Sequence, residues 1–278
     1  MRLVIRSAVA AIALVTAQQA AAVGPWLWTV DGGPGIPAPG GKVHYVARIA
    51  GSTTTVAAVE QEDLRTVRSL SVPGRWGLQA ATFAGDLTGL SGNGRLLVLT
   101  PPTRAVPLAV STFVLVRTPQ LAELGTIRLR GDFTVDALSP GGRTLYLIEH
   151  VVGNDVSRYR VRAYDVAARR LLKRVVADKR QTGWTMHGYP VARASTATGS
   201  RVYTLYSPGD NYPFVHVLDT VGRTAVCVGL PLAWTDQSLL DGAELELGDG
   251  GRTLTVSAPH LREPLTVDTR TFRVTQGG

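Results

Sequence analysis

Four acidic residues are the candidates for catalysis in this sequence: Asp86, Asp136, Glu244 and Glu246. All four lie in or beside segments with the alternating pattern of β-strands. Hydrolysis of a glycosidic bond uses two carboxyl groups, roughly 5 Å apart in retaining enzymes and further apart in inverting ones. An exported glycoside hydrolase is therefore one alternative, provided that the fold brings two of these side chains together.

Other kinds of catalytic or metal site have no support in the sequence. The five histidines form no H-x-H or H-E-x-x-H pair, so no zinc site is predicted. No serine lies in a G-x-S-x-G elbow, and no phosphate-binding loop is present. Cys227 is the only cysteine, which excludes an internal disulfide. It lies in an apolar segment, so we interpret it as a core residue. We expect no metal and no cofactor.

Large aromatic side chains recur in one kind of loop. Trp76, Trp184 and Trp234 precede three basic residues, Arg95, Arg201 and Arg252, by 19, 17 and 18 positions. Aromatic rings that converge on one surface can form an apolar binding floor with polar edges. The alternative is that each ring packs between neighbouring structural units.

Two further residues belong to the same loops. Phe133 and His187 lie in loops of this kind. We therefore predict Trp76, Phe133, Trp184, His187 and Trp234 as ligand-binding residues.

The elements that would position these loops are repeated. A turn of small residues, a basic residue and a β-rich segment occur together five times, with the basic residues at Lys42, Arg95, Arg143, Arg201 and Arg252. The spacings are 53, 48, 58 and 51 residues. Gly-Gly and Asn-Gly pairs tolerate the positive φ angles of tight hairpins. Four short strands in a unit of roughly 50 residues are typical of a β-propeller blade.

One copy of the repeat resembles a known family. Residues 139–143 read Ser-Pro-Gly-Gly-Arg, and Tyr164-Asp165 ends a later strand of the same unit. This pattern is similar to YVTN-type and WD-like propeller repeats, in which Ser-Pro-Asp-Gly-Arg precedes a strand. No copy here contains the full Pro-Asp-Gly. The resemblance implies architecture only, since propellers host enzymes, binding proteins and scaffolds.

The sequence thus predicts an all-β protein folded as a β-propeller of about five four-stranded blades. The blades would span roughly residues 26–72, 73–130, 131–178, 179–230 and 231–278. Six or seven blades with irregular ones, or a β-sandwich of many short strands, are the alternatives.

The first 22 residues have the pattern of an export signal. Arg2 and Arg6 precede an apolar segment at 8–15, and Ala20-Ala21-Ala22 provides a cleavage site. The apolar segment is shorter than the roughly 20 residues that span a bilayer. We expect cleavage after Ala22, a single domain from 23 to 278, and a secreted or cell-envelope location; an uncleaved anchor is the alternative. No later segment is expected to span a membrane.

The net charge of +8 does not predict a nucleic-acid partner. Arg2 and Arg6 account for two of these charges, and the remaining arginines are spread along the chain rather than clustered in a basic stripe. We expect a monomeric, non-enzymatic binding or scaffold module for a protein, peptide or glycan at its loop face. The hydrolase and a purely structural cell-surface protein are the alternatives.

Overall fold

The computed structural model describes residues 29–30, 32–102, 107–153, 155–180, 185–208, 211–233 and 238–276. The predicted signal, residues 1–22, lies outside them. The described residues form antiparallel sheets that follow one another along the chain. No helix within these ranges has the length and hydropathy needed to cross a membrane.

The first two blades follow a short N-terminal strand, β1 (Thr29–Val30). Blade 1 consists of β2 (Ile36–Pro37), β3 (Val43–Ala50), β4 (Thr53–Glu60) and β5 (Thr66–Pro73). The chain continues through β6 (Leu78–Ala80), β7 (Leu87–Thr88), β8 (Leu96–Leu99), β9 (Val110–Arg117) and β10 (Ala122–Arg130). Strand β6 pairs with both β1 and β7. The residues just after β7 pair with β8, so β7 to β10 constitute blade 2.

Three further blades have the same up-and-down order. Blade 3 consists of β11 (Asp132–Leu138), β12 (Thr144–Val152), β13 (Asp155–Asp165) and β14 (Arg170–Val176), and β15 (Met186–His187) pairs with β13. Blade 4 consists of β16 (Tyr189–Ser195), β17 (Arg201–Ser207), β18 (Phe214–Asp219) and β19 (Thr224–Gly229). Blade 5 consists of β20 (Glu244–Gly248), β21 (Thr253–Ser257), β22 (Leu265–Asp268) and β23 (Val274–Gln276). A short 3-10 turn, Asp249–Gly251, joins its first two strands.

The five repeated turns join the first and second strands of their blades. Each contains residues with positive φ: Gly40 and Gly41, Gly94, Gly142, Gly199, and Asp249 to Gly251. Glycine adopts such angles at little cost, which explains the glycines of the repeat. We call the end of the blades where these turns lie the turn end, and the opposite end the loop end.

A threonine fixes three of these turns. It follows the third strand of its blade, and its hydroxyl donates a hydrogen bond to a turn carbonyl. Thr118 donates to Gly94 at 2.6 Å, Thr220 to Gly199 at 2.6 Å and Thr269 to Gly251 at 2.7 Å. The turn is therefore held by its own blade as well as by its backbone geometry.

Apolar cores lie between consecutive blades. Tyr45 and Val56 of blade 1, for example, share a core with Leu97 and Val114 of blade 2. Equivalent cores join blades 2 and 3, blades 3 and 4, and blades 4 and 5. Each central blade thus buries both of its faces.

The two terminal blades present polar faces away from their neighbours. Leu245 and Leu247 of β20 pack into the core between blades 4 and 5. Side chains alternate along a strand, so the exposed Glu244 and Glu246 point away from blade 4. In blade 1, the exposed Arg48, Thr55 and Ser71 form one row across three strands.

The outer edge of blade 4 is covered by the segment at Asp178, which forms a single parallel bridge with Ala225 of β19 and adds side-chain hydrogen bonds. The N–H of Cys227 in β19 donates to Asp178 Oδ2 at 2.9 Å, and Arg180 Nη2 donates to the Cys227 carbonyl at 3.0 Å. Burial alone would raise the pKa of Asp178, but hydrogen bonds from Arg180 and from the Cys227 N–H hold it at about 2. Because the N–H and carbonyl of Cys227 already have hydrogen-bond partners, they are not available to pair with a strand of another chain. Burial also raises the pKa of the Cys227 thiol to about 12, so it is protonated at neutral pH.

Candidate functional site

A cavity of about 660 Å³ lies at the turn end of blades 1 to 4. Small residues from the repeated turns line much of it, including Pro39, Gly41, Gly92, Thr196 and Gly199. The sequence pattern indicates only a structural role for these turns. The repeat reveals that each turn exists but not that the turns meet, because their meeting depends on how the blades are arranged.

The turn of blade 2 contacts the turns of three other blades. The N–H of Asn93 donates to the Pro140 carbonyl of blade 3 at 2.9 Å. Gly92 packs on Thr198 of blade 4 so closely that a Cβ there would lie 1.7 Å from the Thr198 carbonyl oxygen. A Cβ at Gly94 would lie 2.6 Å from Pro39 Cδ of blade 1. The rim of the cavity is therefore held together by main-chain packing that only glycine permits.

A buried ion pair connects the inner strands of blades 3 and 4. Arg193 Nη1 donates to Asp136 Oδ1 at 2.9 Å, and the two side chains are 9% and 5% exposed. Arg193 Nη2 donates to the Asp136 carbonyl at 2.6 Å, and the Thr88 hydroxyl of blade 2 donates to the same oxygen at 2.7 Å. Three blades thus meet at Asp136. Arg193 also lines the turn-end cavity.

Aromatic side chains of blades 3 and 4 lie beside this pair, and Tyr159 and Tyr206 line one small cavity with it. Tyr206 stacks on Tyr159 and on Phe214, with ring centroids 5.4 and 5.3 Å apart, and meets His216 edge-on at 6.3 Å. Burial raises the pKa of the Tyr159 and Tyr206 hydroxyls. Burial lowers the pKa of His216 to about 4; Arg193 also lowers it, and Asp136 opposes the shift. His216 is therefore a neutral core residue at pH 7.

His216 should make the fold sensitive to acid. Its pKa in the folded state, about 4, lies below the ordinary value of 6.5. The unfolding free energy that depends on neutral His216 is fully present above pH 6.5. It is lost as the pH falls towards 4, because His216 binds a proton more readily in the unfolded chain than in the folded one. We expect this side chain to cost about 3 kcal/mol of unfolding free energy between pH 7 and pH 4. Denaturant unfolding of wild type and His216→Leu at both pH values measures it.

The matched control is His260→Gln, which changes an exposed histidine. It should leave the pH dependence of wild type unchanged. If His216→Leu loses as much stability on acidification as wild type does, the assignment to His216 is wrong.

A second pocket, of about 340 Å³, lies where loops of blades 2, 4 and 5 meet at the loop end. Phe83 and Tyr189 line it, with ring centroids 6.1 Å apart and planes tilted by 46°. Phe83 is 50% exposed and Tyr189 is 37% exposed. Val191 and the residues 240–243 before blade 5 complete the wall. We call this the loop-end pocket.

Main-chain hydrogen bonds fix Phe83 in this position. Its N–H donates to the Pro190 carbonyl at 3.0 Å, and the Ala84 N–H donates to Val191 at 3.3 Å. The segment before blade 2 therefore pairs with the first strand of blade 4. Sequence reasoning missed Phe83. A large ring flanked by Ala, Thr and Gly in a predicted loop was the available signal.

The predicted aromatic residues are not gathered in either pocket as far as the described residues show. Trp76 is half-buried, packs on the core between blades 1 and 2, and donates its indole N–H to the Pro73 carbonyl at 2.7 Å. Phe133 is 3% exposed in the core between blades 2 and 3, so its ring is unavailable to a ligand. His187 is half-buried on β15. Trp184 and Trp234 lie outside the described residues, and their binding role stays a prediction.

The four candidate carboxylates are placed in different settings. Asp86 lines the turn-end cavity and accepts a hydrogen bond from the Thr82 hydroxyl at 2.7 Å. Asp136 is engaged by Arg193. Glu244 and Glu246 lie on the exposed face of blade 5. Of the four, only Asp86 is in the cavity lining, so no facing pair is seen there. The described ranges contain no group of three or more His, Cys, Asp or Glu that could hold a metal ion.

The architecture is that of a β-propeller, which confirms the predicted all-β class with about five four-stranded blades. The β-propeller domain of Cps50 (Swd1) from Myceliophteria thermophila is similar in structure, with a TM-score of 0.50 at 13% identity, over 90% of this chain and 71% of that chain. This likeness shows the fold alone.

Two other solved structures match more weakly. Hydrazine synthase from Kuenenia stuttgartiensis has a TM-score of 0.45 at 14% identity, over 90% of this chain and 79% of that chain. AztD from Citrobacter koseri has a TM-score of 0.41 at 15% identity, over 84% of this chain and 58% of that chain. No protein-family model matches the sequence, and no curated protein does.

Proposed function

We propose that this protein is an exported, non-enzymatic binding module that holds a protein, peptide or glycan ligand in the loop-end pocket. The observation that carries the proposal is the exposed Phe83–Tyr189 pair in a concave site of about 340 Å³. Ligand pockets are concave, mostly apolar and aromatic, and have few polar groups. The export part of the proposal rests on the pattern of residues 1–22.

The position of the pair supports binding over a purely structural role. A ring that only stabilises the fold gains most when it is fully buried, as Phe133 is. Phe83 instead keeps half of its surface in water although its backbone is fixed by hydrogen bonds. Aromatic residues, phenylalanine included, are enriched at binding interfaces, where a few side chains contribute most of the binding energy.

A ligand panel tests the proposal. The mature chain, residues 23–278, is screened against glycans and peptides by thermal shift, since a ligand that binds only the folded state raises the melting temperature. Affinity for each hit is then compared between wild type and Phe83→Ala. We expect Phe83→Ala to weaken binding at least about tenfold, as loss of a central aromatic residue does.

Tyr212→Ala is the matched control. Tyr212 is 59% exposed on blade 4, the blade of Tyr189, but is not among the described residues that line the pocket. Its replacement should change the affinity less than about twofold. A ligand that binds wild type and Phe83→Ala equally well would place the binding site elsewhere and overturn the proposal.

A further inference from the structure

Among the lining residues of the loop-end pocket that the structure describes, Asp241 is the one with a charged side chain. Asp241 is exposed, and its own N–H bonds the Ser238 carbonyl at 3.2 Å. No ion pair within the described part of the chain engages its carboxylate. The chain as a whole carries a net charge of +8. A local negative charge therefore faces an apolar site on a protein that is otherwise basic.

The faces of the two rings add negative electrostatic potential to that of the Asp241 carboxylate. The faces of Phe and Tyr are electrically negative, and a cation within about 6 Å of a ring centroid is attracted to them. Phe83 and Tyr189 are tilted by 46° with their centroids 6.1 Å apart, so they form two walls of one pocket. Two aromatic walls and one carboxylate are complementary to an organic cation with apolar surface.

A neutral sugar fits this lining less well. Sugar hydroxyls require several directional hydrogen bonds, because burying an unpaired hydroxyl is unfavourable. Besides Asp241, the polar side-chain groups among the described lining residues are the hydroxyls of Ser207 and Tyr189. The remaining members are aromatic or small apolar residues, such as Val191, Leu240 and Ala243.

We propose that the loop-end pocket binds an alkylammonium group, by contact with the faces of Phe83 and Tyr189 and charge pairing with Asp241. This inference rests on the proposed function and names the ligand class for the same pocket. The group could belong to a small quaternary ammonium compound or to a lysine side chain. Both present a positively charged nitrogen attached to alkyl carbon, which is the chemistry that the rings and the carboxylate recognise.

The test compares two molecules of the same shape. Choline and 3,3-dimethyl-1-butanol differ in that the second carries a quaternary carbon in place of the charged nitrogen. Each is titrated into the mature chain and followed by NMR chemical shifts and calorimetry at low salt. We expect choline to bind at least tenfold more tightly than the neutral molecule. N-acetyl-lysine methylamide, titrated in parallel, distinguishes a lysine side chain from a quaternary ammonium as the preferred source.

Three variants locate the site. Phe83→Ala and Asp241→Asn should each weaken choline binding at least fivefold, and the effect of Asp241→Asn should diminish as salt screens the charge. Tyr212→Ala should leave the affinity within twofold of wild type.

The outcomes separate this inference from the proposed function. Equal affinity for choline and its neutral isostere would overturn the ammonium assignment and leave an apolar binding pocket. The ammonium assignment would also be overturned if neither choline nor the lysine compound binds and if an uncharged or anionic panel ligand binds in a manner that depends on Phe83. In that case the proposed binding function would remain. If no ligand of any class depends on Phe83, both proposals fail.

Discussion

Replacing Arg193 with methionine is expected to lower the unfolding free energy by about 3–5 kcal/mol, the usual effect of leaving one member of a buried ion pair without its partner. The Asp136 carboxylate is 5% exposed and would lose the bond at 2.9 Å from Arg193. The Asp136 carbonyl would also lose a donor at 2.6 Å. Urea unfolding of the mature chain at pH 7 measures the difference.

An exposed pair provides the control for this effect. Arg65 contacts Glu60 at 2.6 Å, with side chains 62% and 34% exposed. Arg65→Met should lower the unfolding free energy far less than Arg193→Met does, because surface ion pairs contribute little. The double variant Asp136→Leu with Arg193→Met should lose less than the sum of the two single changes, since it leaves no unpaired buried charge. A loss below about 1 kcal/mol for Arg193→Met alone would contradict the buried arrangement.

Gly92→Ala is the second substitution with a large expected effect. It should lower the unfolding free energy by about 3 kcal/mol, because the added methyl group overpacks the turn. The added Cβ would lie 1.7 Å from the Thr198 carbonyl oxygen and 2.4 Å from its carbon. Both atoms are main chain, so no side chain can rotate away, and the turns of blades 2 and 4 must separate. Thermal and urea unfolding of the variant measure the cost.

Gly141→Ala is the matched change in the turn of blade 3. A Cβ at Gly141 meets no heavy atom within 4 Å, and its φ lies outside the range that disfavours alanine. It should alter stability by less than about 0.5 kcal/mol. Equal stability of the Gly92 and Gly141 variants would show that the turns of blades 2 and 4 do not pack as described.

The fold was predictable because its signals are local. A hairpin turn that requires positive φ demands glycine wherever it occurs, so the turns at Gly94, Gly142 and Gly199 are visible in the sequence. Alternation of apolar residues identifies the strands beside them. Strand pairing within a blade joins neighbours in the chain, and the repeat spacing therefore indicates about five blades.

The site was less predictable because its contacts are distant in sequence. Asp136 and Arg193 are 57 positions apart, and no local pattern relates them. The bond from Phe83 to Pro190 likewise joins the segment before blade 2 to the first strand of blade 4. Tryptophan spacing predicted where large rings occur but not which way they face. Trp76 faces a core, whereas the smaller ring of Phe83 faces the pocket.

The polar faces of blades 1 and 5 leave each terminal blade with a single apolar core among the described clusters. Blade 5 shares a core with blade 4 alone among the described clusters, so it can open at lower free energy than blades 2 to 4. The segment that leads into blade 5 also carries Asp241 and other residues of the loop-end pocket. A ligand held there is therefore thermodynamically linked to the order of the last blade, since each favours the other.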